Sequence, residues 1–453
     1  MGFMNIHNTL IMDNNENIYS FYIYEKKIKM ILYEKNKEKP AKRTIIDDCL
    51  EEYDSAISDD GTVYLVCQKT KGDIVLVSID GYKQEEHLLA EGFDTQLRNL
   101  NIKIINNKIH IVYCVASNED SSKFRIYHHN LIDEKWNTHV ISDISIRDIL
   151  NPFSIIELDN NIILGYYDIV DNVEQIFIKI YNLSKLQWSE KFQLTTDNSM
   201  KMYLDMISHN NDEIDICYSN LIDGNFVVKY EKYNIKDEEI IRVTEHILSN
   251  PANCMYPTFI NCYGKLWNIW IEYNGLMSCF SEDGGLNWSY PYSWENFKKE
   301  NFARYKFSTN NSSVIYEYRF NYGFGTYGDN ISFIGFGDIE NAVEVPLISE
   351  LKKKEFEQNS AEVEITSRKD VDVIGDKIKV ENSKFEKEIA ELKEKVQMIE
   401  EAIKTITEIL ESKISEVNSH NQDGNKDEII AALEKRIGDI EQFLNRRRRG
   451  LLR

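Results

Sequence analysis

A unit of about 50 residues recurs through the first 350 residues of the chain. In each copy a turn rich in Asn, Asp and Gly separates two strand-like apolar runs. Steps of 45, 46, 53, 52 and 52 residues separate the anchors of six copies, which are Ile18, Val63, Ile109, Ile162, Ile214 and Leu266. A fixed period of this size, built from short strands, predicts a propeller or a similar array.

Each unit continues with a third strand and a weaker fourth one, as in FRIYHHNL and THVISD. Four strands per unit correspond to one blade of a β-propeller. Three more strand-like runs, RYKFSTN, SSVIYEYRF and NISFIGFG, lie within 303–345. They predict a seventh blade, or alternatively the closure of a six-bladed ring. We therefore predict an all-β propeller over 1–345; a sandwich or solenoid fits less well, because the period is too long for solenoid rungs.

One octapeptide, SEDGGLNW over 281–288, has the order S-x-D-x-G-x-x-W. Ser and Asp side chains can bond backbone N–H groups inside a turn, and Gly can adopt positive φ. The octapeptide resembles the Asp-box, or BNR repeat, of sialidase-like β-propellers. The resemblance implies a structural hairpin and no chemistry, formed by Ser281, Asp283, Gly285 and Trp288, with Trp288 largely buried under the turn. Weaker copies at 133–136 and 182–188 also follow a third strand.

The sialidase-like resemblance also implies what an enzyme of that family would need. Such enzymes clamp a substrate carboxylate with three arginines and use a Tyr/Glu nucleophile pair with an Asp acid/base. No such residue is carried over, because Phe124-Arg125-Ile126 is followed by Tyr127 rather than Pro and lies in a predicted third strand. We expect no cleavage of sialosides. The arginines of the predicted propeller are Arg43, Arg98, Arg125, Arg147, Arg242, Arg304 and Arg319.

Hydrolysis of a neutral glycan needs only two carboxylates at a fixed separation. Candidates near the ends of predicted inner strands are Asp54, Asp59, Asp60, Asp159, Asp205 and Glu272. Turn chemistry explains most of these acids, so no catalytic residue is assigned. The motifs GxSxG, HExxH and the P-loop are missing from the sequence, and no cofactor is predicted. The seven Cys lack zinc-ligand spacing and predict buried thiols, the nine His are scattered, and no metal site is predicted.

The charge is unevenly distributed along the chain. Residues 1–350 carry 32 Lys+Arg against 52 Asp+Glu, whereas 351–453 carry 21 against 23. A body this acidic repels nucleic acid. The sequence has no stretch of 18 apolar residues, so no membrane span is predicted. The N-terminal residues lack the pattern of a secretion signal, so we expect a protein that is cytoplasmic or assembled from the cytoplasm onto a particle surface.

The composition changes after residue 345. Residues 346–376 are interpreted as a linker or neck, and 377–418 as a coiled coil with Glu- and Lys-rich flanks. Isoleucine at both core positions favours a trimer. An amphipathic helix packed on the propeller is the alternative. The proposed core positions are Phe385, Ile389, Leu392, Val396, Ile399, Ile403, Ile406 and Leu410.

A second helix is predicted over 426–449, which either extends the coil or folds back on it. It ends in Arg446–Arg449, interpreted as a solvated tail or, alternatively, as an anion-binding patch or a proteolytic site. Together the features predict a non-catalytic binding or display module, with a propeller head on an oligomerising stalk and a glycan or protein ligand. The alternatives are a glycoside hydrolase or lyase of sialidase-like fold, and a structural surface subunit of a particle such as a spore coat or phage fibre.

Overall fold

A computed structural model describes residues 3–348, apart from 118–119, 121, 133–134, 148–151, 159, 211, 237–238, 274, 295–300, 329–330 and 341. The predicted coiled coil over 377–418, the second helix over 426–449 and most of the neck lie outside the described residues and stay predictions. No described helix is long and apolar enough to cross a membrane.

The described strands form six sheets, each built around antiparallel strands that are consecutive in the chain. The first sheet contains β1 (Phe3–Met12), β2 (Ile18–Tyr24), β3 (Lys27–Tyr33) and β4 (Ala41–Ile46). The second contains β5 (Tyr53–Ile57), β6 (Val63–Gln68), β7 (Ile74–Asp80) and β8 (Lys83–Ala90). The third contains β9 (Leu97–Ile105), β10 (Lys108–Ala116), β11 (Lys123–Ile132) and β12 (Lys135–Ser145).

The other three sheets repeat this plan with short additions. The fourth contains β13 (Phe153–Leu158), β14 (Asn161–Val170), β15 (Val173–Asn182), β16 (Gln187–Trp188) and β17 (Phe192–Gln193). The fifth contains β18 (Lys201–Asn210), β19 (Glu213–Ile222), β20 (Asn225–Lys236) and β21 (Glu239–Ile247). The sixth contains β22 (Met255–Cys262), β23 (Lys265–Glu272), β24 (Gly275–Ser281) and β25 (Tyr292–Ser293), with β27 (Tyr318–Arg319) and β30 (Val343–Glu344) at its edges.

The first strands of successive sheets lie side by side around an axis. Strand β1 lies beside β5, β5 beside β9, β13 beside β18, and β18 beside β22. The Asn99 side-chain amide donates to the Phe153 carbonyl at 3.0 Å and joins β9 to β13. The ring closes where β26 (Phe302–Thr309) pairs in parallel with β1. The head is therefore all-β and propeller-like, as predicted.

The residues considered for a seventh blade form no separate four-stranded sheet among the described residues. Strand β26 pairs with β28 (Tyr322–Thr326), and β28 pairs with β29 (Phe333–Ile334). All three strands belong to the first sheet. The prediction of a strand over SSVIYEYRF is wrong for Ser312–Glu317, which form a short helix, α1, whereas the following residues Tyr318–Arg319 form β27. The Asn311 side chain caps this helix by accepting from the backbone N–H groups of Ser313 and Val314.

Burial falls from the axis outwards. The second strand β6, VYLVCQ, is mostly buried on both faces, whereas the fourth strands β8 and β21 are mostly exposed. Facing sheets bury their aliphatic and aromatic side chains against each other, which is the main source of stability. All seven cysteines are buried and unpaired.

Aspartates tie neighbouring inner strands together. Asp54 on β5 accepts a hydrogen bond from the backbone N–H of Ile102 on β9 at 2.7 Å. Asp205 on β18 accepts from the backbone N–H of Phe259 on β22 at 2.9 Å. Both aspartates are almost fully buried. They therefore join one sheet to the next.

The octapeptide over 281–288 follows β24. The Gly285 N–H donates to the Ser281 hydroxyl at 2.7 Å, and Asp283 accepts from the Asn287 N–H at 2.8 Å. Trp288 packs edge-on against Tyr230 of the fifth sheet, with ring centroids 4.9 Å apart. Trp288 is intermediate in burial and packs against the core cluster between the fifth and sixth sheets.

Candidate functional site

Two cavities lie on the axis, at opposite ends of the inner strands. The tyrosine well, of about 530 Å³, lies at the N-terminal ends of these strands and is lined by residues that include Tyr22, Tyr256, Arg304, Tyr322 and Tyr327. The lysine well, of about 570 Å³, lies at the C-terminal ends and is lined by residues that include Asp59, Lys103, Glu157, Arg319 and Asn321. These volumes suit small-molecule ligands.

A buried ion pair forms the waist between the two wells. The Lys306 ammonium contacts the Asp54 carboxylate and donates to the Asn101 side-chain carbonyl at 2.7 Å. Lys306 is 6% exposed and Asp54 is fully buried. A buried pair with this many partners is costly to break, so the waist holds β5, β9 and β26 in register.

The tyrosine well is organised around Arg304. Its guanidinium lies 3.8 Å from the Tyr322 ring centroid and 5.8 Å from that of Tyr256. The Nε–H donates to the Thr258 hydroxyl at 3.1 Å, and Tyr203 packs on Tyr256 with ring centroids 4.2 Å apart. A planar guanidinium stacked on aromatic rings keeps its outward N–H groups in fixed directions.

The backbone is unusual at the same end of the inner strands. Asn99, Tyr203 and Tyr256 have φ of 51°, 57° and 52°, in the left-handed region. The antiparallel register shifts beside each of them, in β9, β18 and β22. Bulges of this kind re-aim side chains next to binding sites, and strained residues concentrate at functional sites. Three blades therefore carry the same local distortion around one end of the axis.

The lysine well contains charges of both signs. The Lys103 ammonium donates to the Asn321 side-chain carbonyl at 3.2 Å, and Asn321 donates to the Met206 carbonyl at 3.2 Å. The Arg319 guanidinium donates to the Ser208 carbonyl at 2.7 Å. Burial, together with the neighbouring positive charge of Lys306, lowers the pKa of Lys103 to about 8. Desolvation raises the pKa of Glu157 above its usual range.

The predicted acidic candidates lie in different places. Asp54 belongs to the waist, and Asp205 is buried between sheets, where desolvation raises its pKa. Asp60 accepts from the Thr62 N–H at 2.9 Å within a turn. Glu272 accepts from the Trp270 indole N–H at 3.4 Å and lines neither well. Of the described candidates, only Asp59 lines the lysine well. Asp159 lies outside the described residues.

The arginines do not assemble into a three-membered clamp among the described residues. Arg304 lines the tyrosine well and Arg319 the lysine well, at opposite ends of the axis. Arg125 instead forms a surface ion pair with Asp143, with Nη2 and Oδ2 2.9 Å apart. Among the described residues, no group of three or more His, Cys, Asp or Glu side chains is placed to hold a metal ion.

Sequence reasoning missed the main residues of both wells. Lys103, Arg304 and Lys306 are charged residues within inner strands whose neighbours are largely apolar. Arg304 and Lys306 are two apart and share a face of β26, so a charged pair on one face of a strand was the available signal. Tyr256 and Tyr322 carried no such signal, since tyrosine is frequent throughout the chain.

Comparisons with known proteins find distant structural similarity alone. No family model matches the chain, and no curated protein matches it. A six-bladed fungal lectin with fucose recognition, from Aleuria aurantia, is similar at a TM-score of 0.40 and 11% identity, covering 63% of this chain and 94% of the lectin. A polysaccharide lyase of family PL25, an ulvan lyase, gives 0.44 and 14%, covering 78% of this chain and 97% of the lyase. The propeller description of the head rests on its own topology.

Proposed function

We propose that the protein is a non-catalytic binding module whose tyrosine well holds a glycan. The observation that carries this function is the stack of Arg304 on Tyr322, beside Tyr256, in an axial cavity of about 530 Å³. Ligand sites combine aromatic walls with a few polar groups that fix the orientation of the ligand.

A sugar ring suits these walls because it has an apolar C–H face and a rim of hydroxyl groups. Tyrosine offers an apolar ring face together with a polar hydroxyl group. Around the rings, the well is lined by the carboxylates of Glu51 and Glu52 and the amides of Asn5, Asn8 and Asn99. The hydroxyl groups of a sugar can donate to these carboxylates and accept from Arg304, while its C–H face contacts the tyrosine rings.

Display on a stalk would strengthen such binding. The predicted coiled-coil core from Phe385 to Leu410 would join three heads, and linked weak sites gain avidity through a raised effective concentration. A homotrimer is part of this proposed function. A role as a surface subunit of a particle remains a prediction from the sequence.

The experiment is a glycan-array screen of the full-length protein, repeated with Tyr322→Ala. We expect binding to a restricted set of glycans, weakened at least tenfold in the variant because it removes the ring that supports Arg304. Tyr82→Ala is the matched control, since Tyr82 is 74% exposed in a turn remote from the well. Equal binding by both variants, or binding to no glycan, would contradict a glycan site in the tyrosine well.

A second candidate function is glycoside hydrolysis in the lysine well. Asp59 and Glu157 both line this cavity, and the raised pKa of Glu157 suits a general acid. Turnover of fluorogenic neutral glycosides, abolished by Glu157→Gln, would replace the binding module with an enzyme. Without turnover, the carboxylates of this well are not a catalytic pair for those substrates.

A further inference from the structure

The geometry points to a second ligand site, in which Lys103 and Arg319 hold the carboxylate of a small hydroxy acid in the lysine well. This site is separate from the tyrosine well, because the waist of Lys306, Asp54 and Asn101 lies between the two. It does not depend on the glycan site, and each can be tested without the other.

The two cations of the lysine well are held in place without an ion pair. Lys103 bonds the neutral side chain of Asn321, and Arg319 bonds the carbonyl of Ser208. Neither forms a salt bridge with a carboxylate of the residues that the structure describes. An ammonium has three donors and a guanidinium five, so each has N–H groups left to offer a ligand. Two fixed cations with spare donors that line one cavity favour a carboxylate.

The rest of the well selects what is attached to that carboxylate. Asp59 and Glu157 supply acceptors, and Asn310 supplies an amide. Ile57, Ile156 and Phe307 supply apolar walls between them. A chain of hydroxyl groups would donate to the acids while its carbons contact the apolar walls. A hydroxy acid therefore matches both halves of the well.

Charged groups on several elements act on Lys103. Lys306 on β26 disfavours its protonation, whereas Asp54 on β5, Glu157 on β13 and Asp205 on β18 favour it. Burial is the largest influence, and together these groups bring the pKa to about 8. Lys103 therefore changes from mainly charged to mainly neutral between pH 7 and pH 9. Affinity for a carboxylate should fall about tenfold over this range, in proportion to the charged fraction.

The experiment is isothermal titration calorimetry of the full-length protein with D-gluconate. Sorbitol, which replaces the carboxylate by a CH₂OH group, is the matched ligand. We expect saturable binding of gluconate at pH 7 and at least tenfold weaker binding of sorbitol. Lys103→Met and Arg319→Gln should each weaken gluconate binding at least tenfold, and Lys185→Met, at an exposed turn, should leave it unchanged.

The pH dependence separates a direct contact from a structural role of Lys103. Lys103→Arg keeps a cation at every pH, so it should retain gluconate binding and lose the tenfold decrease between pH 7 and pH 9. Equal affinities for gluconate and sorbitol, or unchanged affinity in Lys103→Met, would overturn the site. A decrease with pH that persists in Lys103→Arg would also overturn it.

Discussion

At the scale of single residues, Gly285 shows how closely neighbouring sheets approach. Its φ of 91° favours glycine, and a β-carbon there would collide with the Tyr230 hydroxyl group. Gly284, with φ of 69°, has open space where its β-carbon would lie. Comparing substitutions at the two adjacent glycines therefore separates the cost of backbone strain from the cost of steric collision.

We expect Gly285→Ala to lower the free energy of unfolding by about 1–3 kcal/mol more than Gly284→Ala, because it adds overpacking to strain. Urea unfolding followed by tryptophan fluorescence measures both variants. Tyr230→Phe combined with Gly285→Ala is the control, because removing the hydroxyl group should restore part of the loss. Equal losses of unfolding free energy in the two glycine variants would show that the collision with Tyr230 is relieved at no cost in stability.

At the scale of elements, the third sheet contains a buried row of histidines. The Trp188 indole N–H donates to His128 Nδ1 at 3.2 Å, so His128 carries its proton on Nε2. His128 Nε2 in turn donates to His110 Nδ1 at 3.0 Å. Burial lowers the pKa of His110 to about 4 and that of His128 well below its usual value, helped by the neighbouring histidines for His128. The row is therefore stable in its neutral form.

This row should make the head sensitive to acid. Folding favours the neutral form of these histidines. Their contribution to the free energy of unfolding is therefore complete above the unfolded pKa of about 6.5 and is lost as the pH falls towards 4. For His110 the loss between pH 6.5 and pH 4.5 is about 2–3 kcal/mol. Urea unfolding of wild type and His110→Gln at both pH values measures it. The difference in unfolding free energy between wild type and His110→Gln should be smaller at pH 4.5 than at pH 6.5, because only the wild type takes up a proton at position 110 on unfolding. The same difference at both pH values would contradict a lowered pKa of His110.

The strands were more predictable than the wells. The period and the apolar runs identified the second strand of each sheet, because alternation and burial are local properties. The helix at Ser312–Glu317 was missed, because its cap, Asn311, looks like a turn residue in a strand-rich context. The wells were missed for another reason. Lys103 and Asn321 meet across 218 positions of the chain, and such a contact depends on register that no local pattern contains.

At the scale of the whole molecule, the chain should be a trimer through its C-terminal region. Ile399, Ile403 and Ile406 favour three strands over two. Deleting residues 376–453 should leave a folded monomeric head, because the described ring closes through β1 and β26 within the head. Light scattering of both proteins measures this. A full-length monomer would contradict the stalk, whereas a dimer would contradict the trimer alone.

The closing pair of strands also sets an order of events during synthesis. Strand β1 is made long before its parallel partner β26, which begins at Phe302. At translation rates of about 5–20 residues per second, β1 waits about 15–60 s for that partner. During this time one edge of the first sheet is open, and an open edge invites pairing with other chains. Nascent chains on one messenger are therefore most prone to exchange strands before residue 309 leaves the ribosome.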